Sequence, residues 1–123
     1  MEIKELTRAE EQIMQVLWQL RKAFVKELIE ALPEPKPAYN TVSTFVRILE
    51  TKGFVDHEAF GKSHEYFPIV SKEQYQSFAT DKLLSGYFDN SIKHMFSYFV
   101  NKERIDLKEA DEIMKLIGEL KDK

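Results

Sequence analysis

The segment from residue 38 to 68, AYNTVSTFVRILETKGFVDHEAFGKSHEYFP, constrains this chain more than any other. Val42, Phe45, Val46 and Leu49 recur at the spacing of one helix face. The periodicity stops at Lys52-Gly53, where glycine supplies the positive φ that ends a helix. Two strand-like runs follow, Phe54 to Phe60 and His64 to Pro68, joined by a tight turn expected at Gly61-Lys62-Ser63. If Val42, Val46 and Leu49 are buried, Asn40, Ser43, Thr44 and Arg47 are left on the outer face beside the hairpin.

Two helices are expected upstream. Thr7-Arg8-Ala9-Glu10 reads as a capping box, after which Ile13, Met14, Val16, Leu17 and Leu20 follow helical spacing, with Trp18 at the stripe's edge as a core anchor. A second helix is predicted over Phe24 to Leu32, with Val25, Leu28, Ile29 and Leu32 inward. Pro33, Pro35 and Pro37 cannot continue it and predict a stiff extended spacer before the third helix. Three helices followed by a hairpin is the layout of a winged helix-turn-helix. Its third helix can enter a major groove while its wing touches the phosphate backbone.

Beyond Ser71 the pattern becomes wholly helical. Ser71-Lys72-Glu73-Gln74 is a second capping box, and a helix is expected through Tyr75, Phe78, Leu83 and Leu84 toward Gly86. Ile92, Met95, Phe96, Phe99 and Val100 form a broad stripe in the next helix, and a last helix opens at Asp106 and carries Leu107, Ile113, Leu116, Ile117 and Leu120. Three thin helices cannot bury that much apolar surface, whereas pairing with a second copy can. Phe78, Leu84, Phe88, Ile92, Met95, Phe96, Phe99, Ile113, Leu116, Ile117 and Leu120 are therefore the expected dimerisation residues. The fold expected is mostly α with a small β-hairpin wing: a DNA-binding domain over residues 1–70 and a helical dimerisation region over 71–123.

Composition sets outer limits. With no cysteine, disulfides and thiolate metal sites are excluded. No apolar run approaches the roughly 18 residues that cross a bilayer, and the acidic start MEIKELTRAEE is no secretory signal, so a cytoplasmic protein without membrane insertion is expected. The net charge is −3, and residues 1–70 carry 9 Lys/Arg against 11 Asp/Glu. A DNA-binding domain more often has a basic footprint, so positive charge must be placed locally. A winged helix used only for protein contacts is the rival reading that this acidity motivates.

The residues also carry a resemblance. Leu6-Thr7-Arg8-Ala9-Glu10 with Ile13-Met14 and Leu17-Trp18, then Asn40-Thr41-Val42-Ser43-Thr44 and Lys52-Gly53-Phe54-Val55, resemble the BlaI/MecI/CopY family of bacterial repressors across residues 6–70. The resemblance implies a homodimeric winged-helix repressor of resistance or stress genes on a dyad-symmetric operator, relieved in part of the family by a membrane sensor protease. Tyr39, Asn40, Thr41, Ser43, Thr44 and Arg47 on the helix, with Lys62, Ser63 and His64 at the wing, are the expected contacts to double-stranded DNA. The family's arginine before the leucine matching Leu49 is replaced by Ile48, and Arg47 stands one residue earlier, about 100° around the helix. The C-terminal cysteines of copper-responsive members are lacking, and the family's scissile Asn-Phe bond corresponds to Ser97-Tyr98.

No enzyme is expected, because the chain has neither a glycine-rich phosphate loop nor a nucleophile-base constellation. No cofactor and no metal are expected either. His57 and His64 could face each other across the hairpin, but two partners on a wing make a poor site.

Overall fold

The computed structural model describes residues 2–121 and divides into two compact units, one reaching to Ala79 and one beginning at Thr80. Its elements in order are α1 (Arg8–Leu20), β1 (Ala23–Phe24), α2 (Val25–Ala31), α3 (Tyr39–Thr51), β2 (Val55–Phe60), β3 (Ser63–Pro68), α4 (Lys72–Tyr87), α5 (Ile92–Asn101) and α6 (Leu107–Lys121). The first unit is a winged helix-turn-helix, as the sequence pattern predicts.

The capping box of α1 forms as expected. The Glu10 backbone N–H donates to the Thr7 hydroxyl, and the Thr7 N–H donates to the Glu10 carboxylate at 2.8 Å. That carboxylate is 2% exposed, and the Lys52 ammonium meets it at 2.7 Å. One ion pair thus joins the start of α1 to the end of α3. Ile13, Met14 and Leu17 of α1, Leu28 of α2, and Val42, Val46 and Leu49 of α3 meet in the core with Phe54, Val55 and Tyr66. Trp18 is half-buried at its edge and donates its indole N–H to the Val70 carbonyl at 2.9 Å.

The third helix ends by a Schellman closure. Gly53 takes φ +83°, its N–H bonds the Glu50 carbonyl, and the Phe54 N–H reaches back to the Leu49 carbonyl at 2.9 Å. Phe54 and Leu49 are both fully buried, the apolar contact that accompanies this motif. Chain direction therefore reverses at the helix end, and β2 starts at Val55.

The sheet differs from the expected hairpin in two respects. Phe24, predicted as the start of the second helix, instead joins Ala23 in a third strand, and the order is β1-β3-β2, all antiparallel. A two-residue bridge of this kind leaves no periodicity to read in the sequence. Ser63 also leaves the turn and pairs with Phe60, so the wing tip is a two-residue loop, Gly61-Lys62. Between α2 and α3 the proline segment includes a cis bond at Glu34-Pro35. The Lys36 ammonium there accepts the role of a C-terminal cap for α2, donating to the Glu30 carbonyl at 2.8 Å and to that of Leu32.

The first turns of α4 still belong to the first unit. Tyr75 is buried, its hydroxyl accepts the Leu6 N–H at 3.1 Å, and its ring lies 5.6 Å from those of Phe54 and Phe78. The Ser71-Gln74 capping box forms in both directions. In the second unit Phe88 is buried against His94 and Tyr98, while no residue of α5 is fully buried. The apolar residues of α6 lie mostly in the open: Leu107 is 88% exposed and Leu120 is 64% exposed.

Burial alone raises the Glu10 carboxyl, yet the hydrogen bonds from Lys52 and Thr7, with the Lys52 charge, outweigh it and hold the carboxyl below its ordinary value. The stability this pair contributes is present above the unfolded glutamate value of about 4.3 and is lost as pH falls through the lower folded one. Glu10→Gln is expected to cost on the order of 2 kcal/mol at neutral pH. The loss should shrink in acid, as chemical denaturation followed by circular dichroism at pH steps would reveal.

Candidate nucleic-acid interface

The burial of Val42, Val46 and Leu49 decides what α3 presents to solvent. Tyr39, Asn40, Thr41, Thr44, Arg47 and Ile48 are exposed along it, and Ser43 is half-buried. The Thr44 hydroxyl donates to the Asn40 carbonyl at 2.8 Å, so that side chain lies back along the helix with its oxygen lone pairs still free to accept. The helix is capped at Ala38 with no side-chain hydrogen bond, which leaves its first N–H groups to outside acceptors.

The wing closes one side of this surface. His57 pairs with Tyr66 and Ala59 with His64, so those residues share the face of the ribbon that carries buried Val55. Tyr66, itself buried, lines one cleft with Arg47. Burial raises the Tyr66 hydroxyl above its ordinary value and the Glu50 carboxylate adds to this, while Arg47 opposes both. The phenol and the guanidinium lie together at the junction of helix and wing.

A cleft of about 80 Å³ opens there, lined by Val25, Tyr39, Ser43, Arg47, Lys62, His64 and Tyr66. A larger neighbouring cleft of about 440 Å³ shares Val25, Tyr39 and His64 and adds Phe24, Lys26, Glu27, Phe60 and Ser63. Of the nine residues expected from sequence, Tyr39, Ser43, Arg47, Lys62, Ser63 and His64 thus line the paired clefts. Asn40, Thr41 and Thr44 sit on exposed helix surface outside them. Tyr66 escaped the sequence reading. Alternation along β3 puts it on the face of His64, but only the strand register brings it under Arg47.

The cleft carries one guanidinium and one ammonium, Arg47 and Lys62, with the His64 imidazole beside them. Two carboxylates lie close by: Glu50, one turn beyond Arg47, is engaged by His57 Nδ1, and Glu27, in the neighbouring cleft, accepts the Phe24 N–H at 2.9 Å. Despite its net charge of −3, the chain concentrates cations where helix and wing converge. An anion with spaced negative charges fits this arrangement better than an apolar ligand does.

The expected dimerisation residues fall into three groups. Phe78 packs on the core of the first unit, and Phe88 is buried within the second. Leu84, Met95, Phe96, Phe99 and Ile113 are half-buried, whereas Ile92, Leu116, Ile117 and Leu120 are exposed. The exposed group is the one a single chain leaves uncovered.

Gly61 at the wing tip takes φ +63° with nothing within 4 Å of where a Cβ would stand. Gly61→Ala is therefore a pure test of backbone strain. It should cost about 1 kcal/mol in a urea melt, with the circular dichroism spectrum unchanged.

The sequence profile of the family described as penicillinase repressor matches residues 6–119. The methicillin resistance regulatory protein MecI of Staphylococcus aureus (strain N315) is 22% identical over 115 residues, covering 93% of this chain and 94% of that protein. The penicillinase repressor of Bacillus licheniformis is 21% identical over 122 residues, covering 98% and 95%. Among solved structures, the solution structure of the DNA binding domain of the repressor BlaI superposes with a TM-score of 0.53 at 25% identity. It covers 60% of this chain and 92% of that domain. A profile match across nearly the whole chain, on the fold that its sequence pattern predicts, means that this protein belongs to the penicillinase repressor family, a family of transcriptional repressors and not of enzymes.

Proposed function

We propose that this protein is a homodimeric transcriptional repressor that binds a dyad-symmetric DNA operator through the outer face of α3 and the wing. The observation that carries the reading is the convergence of Tyr39, Ser43, Arg47, Lys62 and His64 on one cleft between helix and hairpin. Ser43 offers a short donor, Thr44 an acceptor and Arg47 the planar guanidinium suited to base edges, with Thr41 beside them. Lys62, at the tip of the wing, reaches backbone, and the uncapped start of α3 at Tyr39 and Asn40 favours a phosphate. Two such helices in successive major grooves would stand about 34 Å apart. Repression follows from the dimer covering a promoter.

Dimerisation is supported by surface chemistry. Ile92, Leu116, Ile117 and Leu120 leave more apolar area in water than a short helical unit sustains alone. Relief by a membrane sensor protease rests on the family resemblance, with Ser97-Tyr98 in α5 as the counterpart of the scissile bond. A winged helix that contacts only protein is the second reading. The excess of acidic residues favours it, and it predicts no salt-sensitive affinity for DNA.

Fluorescence anisotropy with DNA from upstream of the protein's own gene, beside a scrambled duplex and at two salt concentrations, separates the two. Preferential binding that weakens as salt rises supports the repressor. No binding at low salt would overturn it. Arg47→Ala should lose about 1–3 kcal/mol of specific affinity. Lys62→Ala should weaken native and scrambled DNA alike and reduce the salt slope by about 1. The exposed substitutions Ile117→Glu and Leu120→Glu together should yield monomers in sedimentation velocity and lower operator affinity with them. A persistent dimer would place the interface elsewhere.

A further inference from the structure

The closure of α3 into β2 has a chemical consequence at the base of the wing. It returns the chain so that His57, on β2, meets Glu50, in the last turn of α3, through a hydrogen bond at Nδ1. Asp56 joins them: its carboxylate accepts the His57 backbone N–H at 2.8 Å. One oxygen of Glu50, one of Asp56 and a ring nitrogen of His57 all lie within 4.8 Å of one another. The imidazole is held in place from its flat side, where His64 stacks at 4.1 Å between centroids and 12° between planes, with Tyr66 at 5.5 Å.

We propose that Glu50, Asp56 and His57 form a binding site for a divalent transition-metal cation such as zinc. One imidazole nitrogen and two carboxylate oxygens are the donors that a borderline cation takes, and two carboxylates neutralise its charge. Magnesium and calcium, which select oxygen, gain nothing from the imidazole. The hydrogen bond between Glu50 and His57 marks the place of the ion: a cation bridging the two replaces the shared proton. Three protein donors leave at least one position to water, so this is an open and exchangeable site, unlike a closed structural one. It departs from the clip between His57 and His64 considered from sequence, because His64 stacks on the imidazole instead of presenting a donor beside it.

The site has a consequence for the cleft beside it. Glu50 is the carboxylate that faces Tyr66 together with Arg47. Cation binding would cancel its charge and tie the last turn of α3 to the first residues of the wing. An acidic chain would thereby gain positive charge next to the residues proposed to meet DNA. That second effect rests on the DNA-binding reading, whereas cation binding does not.

Cobalt(II) absorption and zinc calorimetry on the full chain, without DNA, test the site itself. The expected result is one cation per chain, with cobalt d–d bands, and loss of at least tenfold in affinity in His57→Gln and in Glu50→Gln. Asp56→Asn should weaken binding less, and His94→Gln, in the second unit, should leave it intact. Because Asp56 is exposed and Glu50 and His57 are only half-buried, circular dichroism should show each variant folded, and any variant that unfolds is replaced by the other two. No binding of either metal, or equal binding by wild type and His57→Gln, overturns the proposal. Anisotropy with and without zinc then reads the coupling separately. A metal that binds without changing DNA affinity sinks the second effect and leaves the site standing.

Discussion

Burial of one stripe of α3 is the constraint on which the rest of the structure depends. Val42, Val46 and Leu49 are sealed against α1 and α2 with almost no residual exposure. With 3.6 residues per turn, that choice leaves the rotation of the helix no freedom. Ser43 and Arg47 must then face the wing, and the Schellman closure at Gly53 sets where the wing begins. A polar group forced into the stripe would cost more than its own transfer energy, because the outer face would lose its aim as well.

The electrostatics follow the same division of labour. Most of the acidic excess is dispersed over solvated helix faces, where it interacts weakly. The carboxylates near the core have assigned partners: Glu10 closes the α1 cap with Lys52, and Glu50 is engaged by His57. Arg47 and Lys62 are left to the cleft. Net charge is therefore a poor guide to this molecule. What matters for an anionic partner is the field within a Debye length of the helix-wing junction, about 8 Å at physiological salt.

The two units differ in how completely they use their apolar residues. The first builds a closed core from three helices, the sheet and the first turns of α4, and Tyr75 ties its N-terminal segment to that helix. The second spends Phe88 internally and leaves much of α5 and α6 uncovered. Amphipathic helices with that pattern are stable only when their apolar face finds a partner.

Much of this was legible in the residues. The helix stripes, both capping boxes, the stop at Gly53 and the exposed face of α3 depend on interactions within a few positions along the chain, so local spacing determines them. Local spacing likewise puts Ser43 and Arg47 on the face of α3 that lines the cleft. The β1 strand, the two-residue wing tip, the placement of Tyr66 beneath Arg47 and the meeting of Glu50 with His57 were decided elsewhere. Each depends on strand register or on chain reversal, where a shift of one residue moves a side chain to the opposite face. Such choices are made by the packing of the whole core, and only the tertiary structure records them.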